Sequence, residues 1–310
     1  MKKMRLGSWS CHLLLSTFIS IVPSHCFAIA PVLDRFYPCD EYKNFSPDMQ
    51  ALYEAVNADN TQVALKALGT VTDVNYCTPN PVLRLVDIAI IHRNVPLVRS
   101  LLEKGAVANC SGKCRSAMLY VIDQPNSTER VETKAIEIAE LLLKYGGSLN
   151  DLNYAPYSSA PAPRGSFCSP VSCAVRNGSI KTIEWLLNHG ASVEGERRDF
   201  WTPLEWTAQL GHLEIANMLL DHGANPNGLK NQAMFFGSPL IHATSSGQPE
   251  MTSLLISRGA DVNRIIHSGG KSVTALKWAR MSVESPSIAA ERKERLEKVI
   301  QILKAAGARE

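Results

Sequence analysis

Two close cysteine pairs, Cys110 with Cys114 and Cys168 with Cys173, are the residues of this 310-residue chain best spaced for chemistry. Each pair can close a disulfide or offer two thiolates to a metal. Neither has the C-x-x-C spacing of a zinc site or a thiol exchanger, so the metal reading is the weaker. Between the second pair, Ser169-Pro170 reads as a helix cap and first helical residue. Cys168 and Cys173 then fall at the two positions that touch in a hydrophobic staple, which favours a bridge.

The other reactive side chains assemble nothing comparable. His189 and His222 lie 33 residues apart, His212 follows a glycine, and His92, His242 and His267 are scattered. The spacing predicts surface roles for His189 and His222, since two such ligands need a third to hold a metal. There is no G-x-S-x-G, no glycine-rich phosphate loop and no H-E-x-x-H. Glu194 and Glu196 are expected on loops in solvent, with no pocket to raise a pKa. The chain therefore reads as no enzyme, with no catalytic residue, metal or cofactor.

The elements that would position these residues repeat. Thr202-Pro203-Leu204-Glu205-Trp206 opens a short helix: Thr202 caps it, and Pro203 takes the first position, where a missing N–H costs nothing. A Gly211-His212 turn follows, then a second helix with Leu213, Ile215, Ala216, Leu219 and Leu220 on an apolar face, ending at Gly223. Asn225 and Asn227 suit the turn onward. The openings recur at Arg84, Ser116, Ser169, Ser238 and Thr274, and the glycine ends at Gly105, Gly146, Gly190, Gly259 and Gly307. With an eroded first unit over residues 52–75, this makes about seven units. No one unit can bury both faces of its helices, so stacking must do it.

Period and motif together resemble the ankyrin repeat family, over roughly residues 45–310. The resemblance implies an all-α solenoid of about seven helix–turn–helix units with finger loops between them. It places Trp206 and Trp278 in the core, and it makes the fingers and the adjoining ends of the first helices the contact surface. One departure is consistent: the histidine of the family's T-P-L-H opening is replaced by Asp87, Leu119, Ser172, Glu205, Ile241 and Lys277. A less uniform stack is expected. Insertions over 123–134, 153–167 and 283–290 are expected as surface loops.

The N-terminus reads as a secretory signal peptide over 1–28. Lys2, Lys3 and Arg5 precede an apolar run from Leu13 to Val22, broken by Pro23 and followed by small residues. That run is too short to span a membrane. A segment over 29–44 then precedes the repeats. The chain has net charge +3, but removing those three cations leaves 29 basic and 29 acidic residues. Polyanion binding, and so nucleic acid, loses its electrostatic motive. Six cysteines remain, Cys39, Cys77, Cys110, Cys114, Cys168 and Cys173, an even number suited to disulfides in an oxidising compartment.

The expected function is a non-catalytic exported scaffold, periplasmic or secreted, that binds and protects or inhibits a periplasmic protein. A toxin-neutralising immunity protein, or a secreted effector binding a host protein, are the alternatives. The residues expected to touch the partner are Arg176, Arg197, Arg198, Asp199, Trp201, Leu210, Met234 and Phe235. Aromatic and arginine side chains are what interface hot spots use. No membrane insertion is expected once the leader is removed.

Overall fold

The computed structural model describes residues 46–75, 83–109, 116–123, 129–150, 168–195, 201–229, 238–268, 271–285 and 287–309. The leader and extension expected over 1–28 and 29–44 lie outside the described residues, as do Cys39, Cys77, Cys110, Cys114 and the insertion at 153–167.

Among the described residues there are seven helix pairs. They are α1 (Pro47–Asn57) with α2 (Thr61–Leu68), α3 (Leu85–Ile91) with α4 (Val95–Glu103), and α5 (Ala117–Ile122) with α6 (Glu129–Lys144). Then come α7 (Pro170–Arg176) with α8 (Ile180–Asn188), α9 (Pro203–Leu210) with α10 (Leu213–Asp221), and α11 (Pro239–Ser246) with α12 (Pro249–Ser257). The last is α13 (Ala275–Val283) with α14 (Ala290–Ala305). First helices pack on first helices in succession, and second on second, so that each unit touches its neighbours. No described helix is long and apolar enough to cross a membrane.

Local chemistry explains the helix starts. Ser46, Ser169, Thr202 and Thr274 each accept the backbone N–H three residues on, and Asn60 and Asn94 do the same for second helices. Proline opens α1, α7, α9 and α11. Gly211 ends α9 at φ 79° and Gly223 follows α10 at φ 87°, both left-handed, where a side chain would be strained.

The core is the double row of helix faces. Leu97, Leu101, Ile138, Leu142, Ile183 and Leu186 are fully buried between second helices, and Leu219 continues the row. The apolar face expected of α10 is narrower than its sequence: Ile215, Ala216 and Leu219 are buried, Leu220 is half-buried and Leu213 is 37 % exposed. Leu213 is the first residue of α10, and Leu220 lies one position off the row through Ile215 and Leu219.

The seams between units are closed by asparagines. Asn75 donates from Nδ2 to the Gly105 carbonyl at 2.9 Å and accepts the Val107 N–H at 2.8 Å. Asn109, Asn150, Asn227 and Asn263 repeat both bonds to Gly146/Ser148, Gly190/Ser192, Gly259/Asp261 and Gly307/Arg309. Five seams are therefore closed alike even without the opening histidine, because this bonding runs through the finger turns.

The all-α solenoid expected from the sequence is what the described residues form, with one short antiparallel hairpin, β1 (Ile266–Ser268) with β2 (Lys271–Val273), in the finger before the last unit. One expectation needs correcting. The insertion at 123–134 is not all loop: α6 begins at Glu129 and runs for 16 residues, because Val131, Ala135, Ile138, Ala139 and Leu142 already carry the helical apolar spacing.

Candidate protein-interaction surface

The first helices of units four to six hold an aromatic and cationic cluster. Arg176 ends α7 with its side chain exposed, and its guanidinium carbon lies 5.3 Å from the centre of the Trp206 ring of α9. Trp201, in the turn that leads into α9, packs its ring 4.5 Å from Trp206 and 4.3 Å from His242 of α11. His242 Nδ1 meets Gln209 Oε1 at 3.3 Å. One indole thus joins two successive units. Leu210, the last residue of α9, is 44 % exposed.

The structure brings Arg176 and Trp201 together through Trp206. Trp201 is half-buried, so part of its ring belongs to the fold rather than to solvent. Arg197, Arg198, Asp199, Met234 and Phe235 lie outside the described residues. Trp206 and Trp278 do pack on the core, but each is only half-buried. His242 was not singled out from sequence. Its position, fifth in the Ser238 opening and equivalent to Trp206, is the signal that could have found it.

Cys168 and Cys173 are joined, with Cα atoms 5.4 Å apart, within the range that a disulfide bridges. Asp123 brings a carboxylate oxygen to within 4.8 Å of both sulfurs, the one such metal-capable group among the described residues. The bridge occupies both sulfurs as it stands. His189 and His222 are exposed: each ring bonds a carbonyl of its own helix at 2.7 and 2.9 Å, and His222 Nε2 reaches Asn188 of the preceding unit at 3.5 Å.

The carboxylates overturn one expectation. Glu194 is half-buried rather than solvated, and burial raises its pKa. Glu205 is fully buried: its Oε2 accepts the Thr202 N–H at 2.8 Å while Thr202 Oγ1 accepts the Glu205 N–H, a capping box. Burial pushes the Glu205 carboxyl up to about 7, against the opposing pull of its Thr202 hydrogen bonds and of Arg264. Glu205 lies on α9, which packs against α7, α10 and α11, an environment that no local stretch of sequence displays.

Comparison with known proteins bears on the whole arrangement. The family model described as "Ankyrin repeats (3 copies)" matches residues 130–230, and that described as "Ankyrin repeat" matches residues 238–266. No curated protein sequence matches the chain. The crystal structure of the human ASB11 ankyrin repeat domain is similar at TM-score 0.57 and 20 % identity, covering 86 % of this chain and all of that one. The ankyrin repeat domain of Bcl-3, a member of the IκB protein family, is similar at TM-score 0.56 and 19 % identity, covering 82 % of this chain and 97 % of the other. Stacked helix pairs, left-handed glycine ends and asparagine-closed turns agree with these matches: residues 130–230 and 238–266 are ankyrin repeats, and the described chain folds as an ankyrin-repeat solenoid.

Proposed function

We propose that this protein is a non-catalytic scaffold that is exported, remains periplasmic or is secreted, and holds a protein partner on its first-helix ends and fingers. The observation that carries the reading is the cluster of Arg176, Trp201 and Trp206 beside the exposed Leu210. Ankyrin repeats are typically interaction scaffolds, and this group supplies what such a surface uses: apolar area with a guanidinium at its edge. The charged start and apolar run of residues 1–28 support export. Protection or inhibition of a periplasmic partner is the role this reading gives such a scaffold in that compartment.

The test is capture of a partner from periplasmic extract by the mature protein, repeated with Arg176→Glu and Leu210→Asp. Both positions are exposed, so folding should survive, while capture should fall tenfold or more for a contact at the centre of an interface. Undiminished capture by both variants would move the surface elsewhere. N-terminal sequencing of the exported protein should begin near Ile29, and a protein still starting at Met1 would end the export reading.

A further inference from the structure

One seam of the stack departs from the asparagine pattern. In five seams the asparagine works in both directions, its amide donating to the glycine carbonyl and its oxygen accepting an N–H from the following turn. Between units four and five the same position holds Glu194, which offers two oxygens and, when ionised, no donor. Its Oε1 accepts the Asn225 N–H at 2.6 Å, the bond that Oδ1 makes elsewhere. Its Oε2, where the others carry an NH₂, is buried with no hydrogen-bond partner. The carbonyl that this group would serve, by the pattern of the other seams, is that of Gly223.

A second carboxyl shares the joint. Glu205 is 0 % exposed, and while its Oε2 caps α9, its Oε1 is also buried with no hydrogen-bond partner. A buried, unmatched carboxylate oxygen costs far more than a buried acid that can donate its proton. We propose that the seam between units four and five is a proton-held joint: Glu194 in its neutral form donates from Oε2 to the Gly223 carbonyl, Glu205 is held neutral beside it, and ionisation of the two loosens the stack here.

The surroundings bear this out. Burial raises both carboxyls, and Glu205 reaches about 7 with burial as the main cause and the nearby Glu194 as a minor one. Arg264 opposes this, and its guanidinium donates to the Asn227 carbonyl. Other charged or titratable side chains on the described elements packed against α9 are Arg176 of α7, Glu214 and Asp221 of α10, and His242 of α11. None of these contributes to the raised value of Glu205.

The direction follows from linkage. The unfolded chain releases the Glu205 proton near its ordinary 4.5, the folded chain only near 7. The stability held by the proton is complete below about 4.5 and is lost as pH rises to about 7. For Glu205 alone the change is on the order of a hundredfold in the folding equilibrium.

The test is amide hydrogen exchange on the full chain between pH 5 and 8, corrected for intrinsic rates. Protection of the Asn225 and Thr202 amides should fall at least tenfold more than that of Val107 and Ser148, which report asparagine-closed seams. Glu194→Asn, which supplies the missing amide, should remove most of the difference, and Glu205→Gln the rest, while His242→Gln should leave it in place. Equal behaviour at all seams, or loss of the effect in His242→Gln, overturns the proposal. Should a variant not fold, carboxyl-carbon NMR of the wild-type protein decides: two glutamates titrating above the ordinary range support the joint, and none doing so refutes it.

Discussion

Units two and five open on a similar device in opposite electrical settings. Each places an acidic residue three positions after the cap, where ankyrin openings carry histidine, and each acid accepts the N–H of the cap residue, while only Thr202 also accepts the return bond that completes a capping box. In unit two, Arg84 is itself the cap residue. Its guanidinium grips Asp87 at 2.9 and 2.6 Å, and its other nitrogen donates to the Val107 carbonyl of the following finger at 2.7 Å. In unit five the cap is Thr202, which has no charge to offer, and Glu205 is left with one oxygen unmatched. A capping carboxylate is buried in either place, but in unit two a guanidinium is folded in with it and in unit five a neutral hydroxyl stands there instead.

The largest expected effect comes from breaking the paired case. Asp87→Ala leaves the Arg84 guanidinium, 5 % exposed, without its counter-charge. Removing one member of a buried pair typically costs about 3–5 kcal/mol. Urea unfolding should show that loss. A change under about 1 kcal/mol would mean that Arg84 swings to water and that the two openings are not different in kind.

Glu205→Gln tests the unpaired case, and the expected sign is opposite. Glutamine keeps the acceptor for the Thr202 N–H and carries a donor without ionising. At pH 8 the variant should be more stable than wild type, by up to about 3 kcal/mol if the full rise from 4.5 to about 7 is relieved. At pH 4.5 the two should match. Loss of stability at pH 8 would show that the carboxylate is held by a charge after all.

Thr202→Ala is smaller and acts on both cap and charge. It removes the acceptor of the Glu205 N–H, worth about 1–2 kcal/mol at a buried cap. It also removes the Thr202 side-chain hydrogen bond that holds the Glu205 carboxyl down, so the loss should be larger at pH 8 than at pH 5. An equal loss at both would show that the hydroxyl serves the cap alone.

How much of this was legible beforehand follows from which interactions are local. The helix pairs were readable because caps, apolar periods and terminal glycines recur from pair to pair, as at Thr202, Leu219 and Gly223. The Cys168–Cys173 contact was readable for the same reason, since a cap at Ser169 fixes both positions. Asn225 and Asn227 were read as turn formers, but the bonds from Asn227 to Gly259 and Asp261 cross 32 and 34 residues and leave no local mark. Glu194 looked solvated because its own unit exposes it; the next unit covers it. Trp201 was placed on the surface by its finger position, yet it packs on His242, 41 residues away along the chain.

The smallest effect sharpens the comparison by changing the setting of an arginine rather than of an acid. Arg176 also lies beside a residue of the unit-five opening helix, but it is exposed and its partner is the Trp206 ring at 5.3 Å. A cation over an indole at an exposed site is worth about 0.5–1 kcal/mol, and water replaces it readily when the contact is cut. Arg176→Ala should therefore lower stability by no more than that, against about 3–5 kcal/mol for the loss of the Arg84 ion pair. The two arginines differ in partner, a carboxylate against an indole, and in whether solvent can substitute for it. An Arg176→Ala loss as large as that of Asp87→Ala would show that the cluster of Arg176, Trp206 and Trp201 is a structural clamp between units, and would weaken the case for it as a surface kept for another protein.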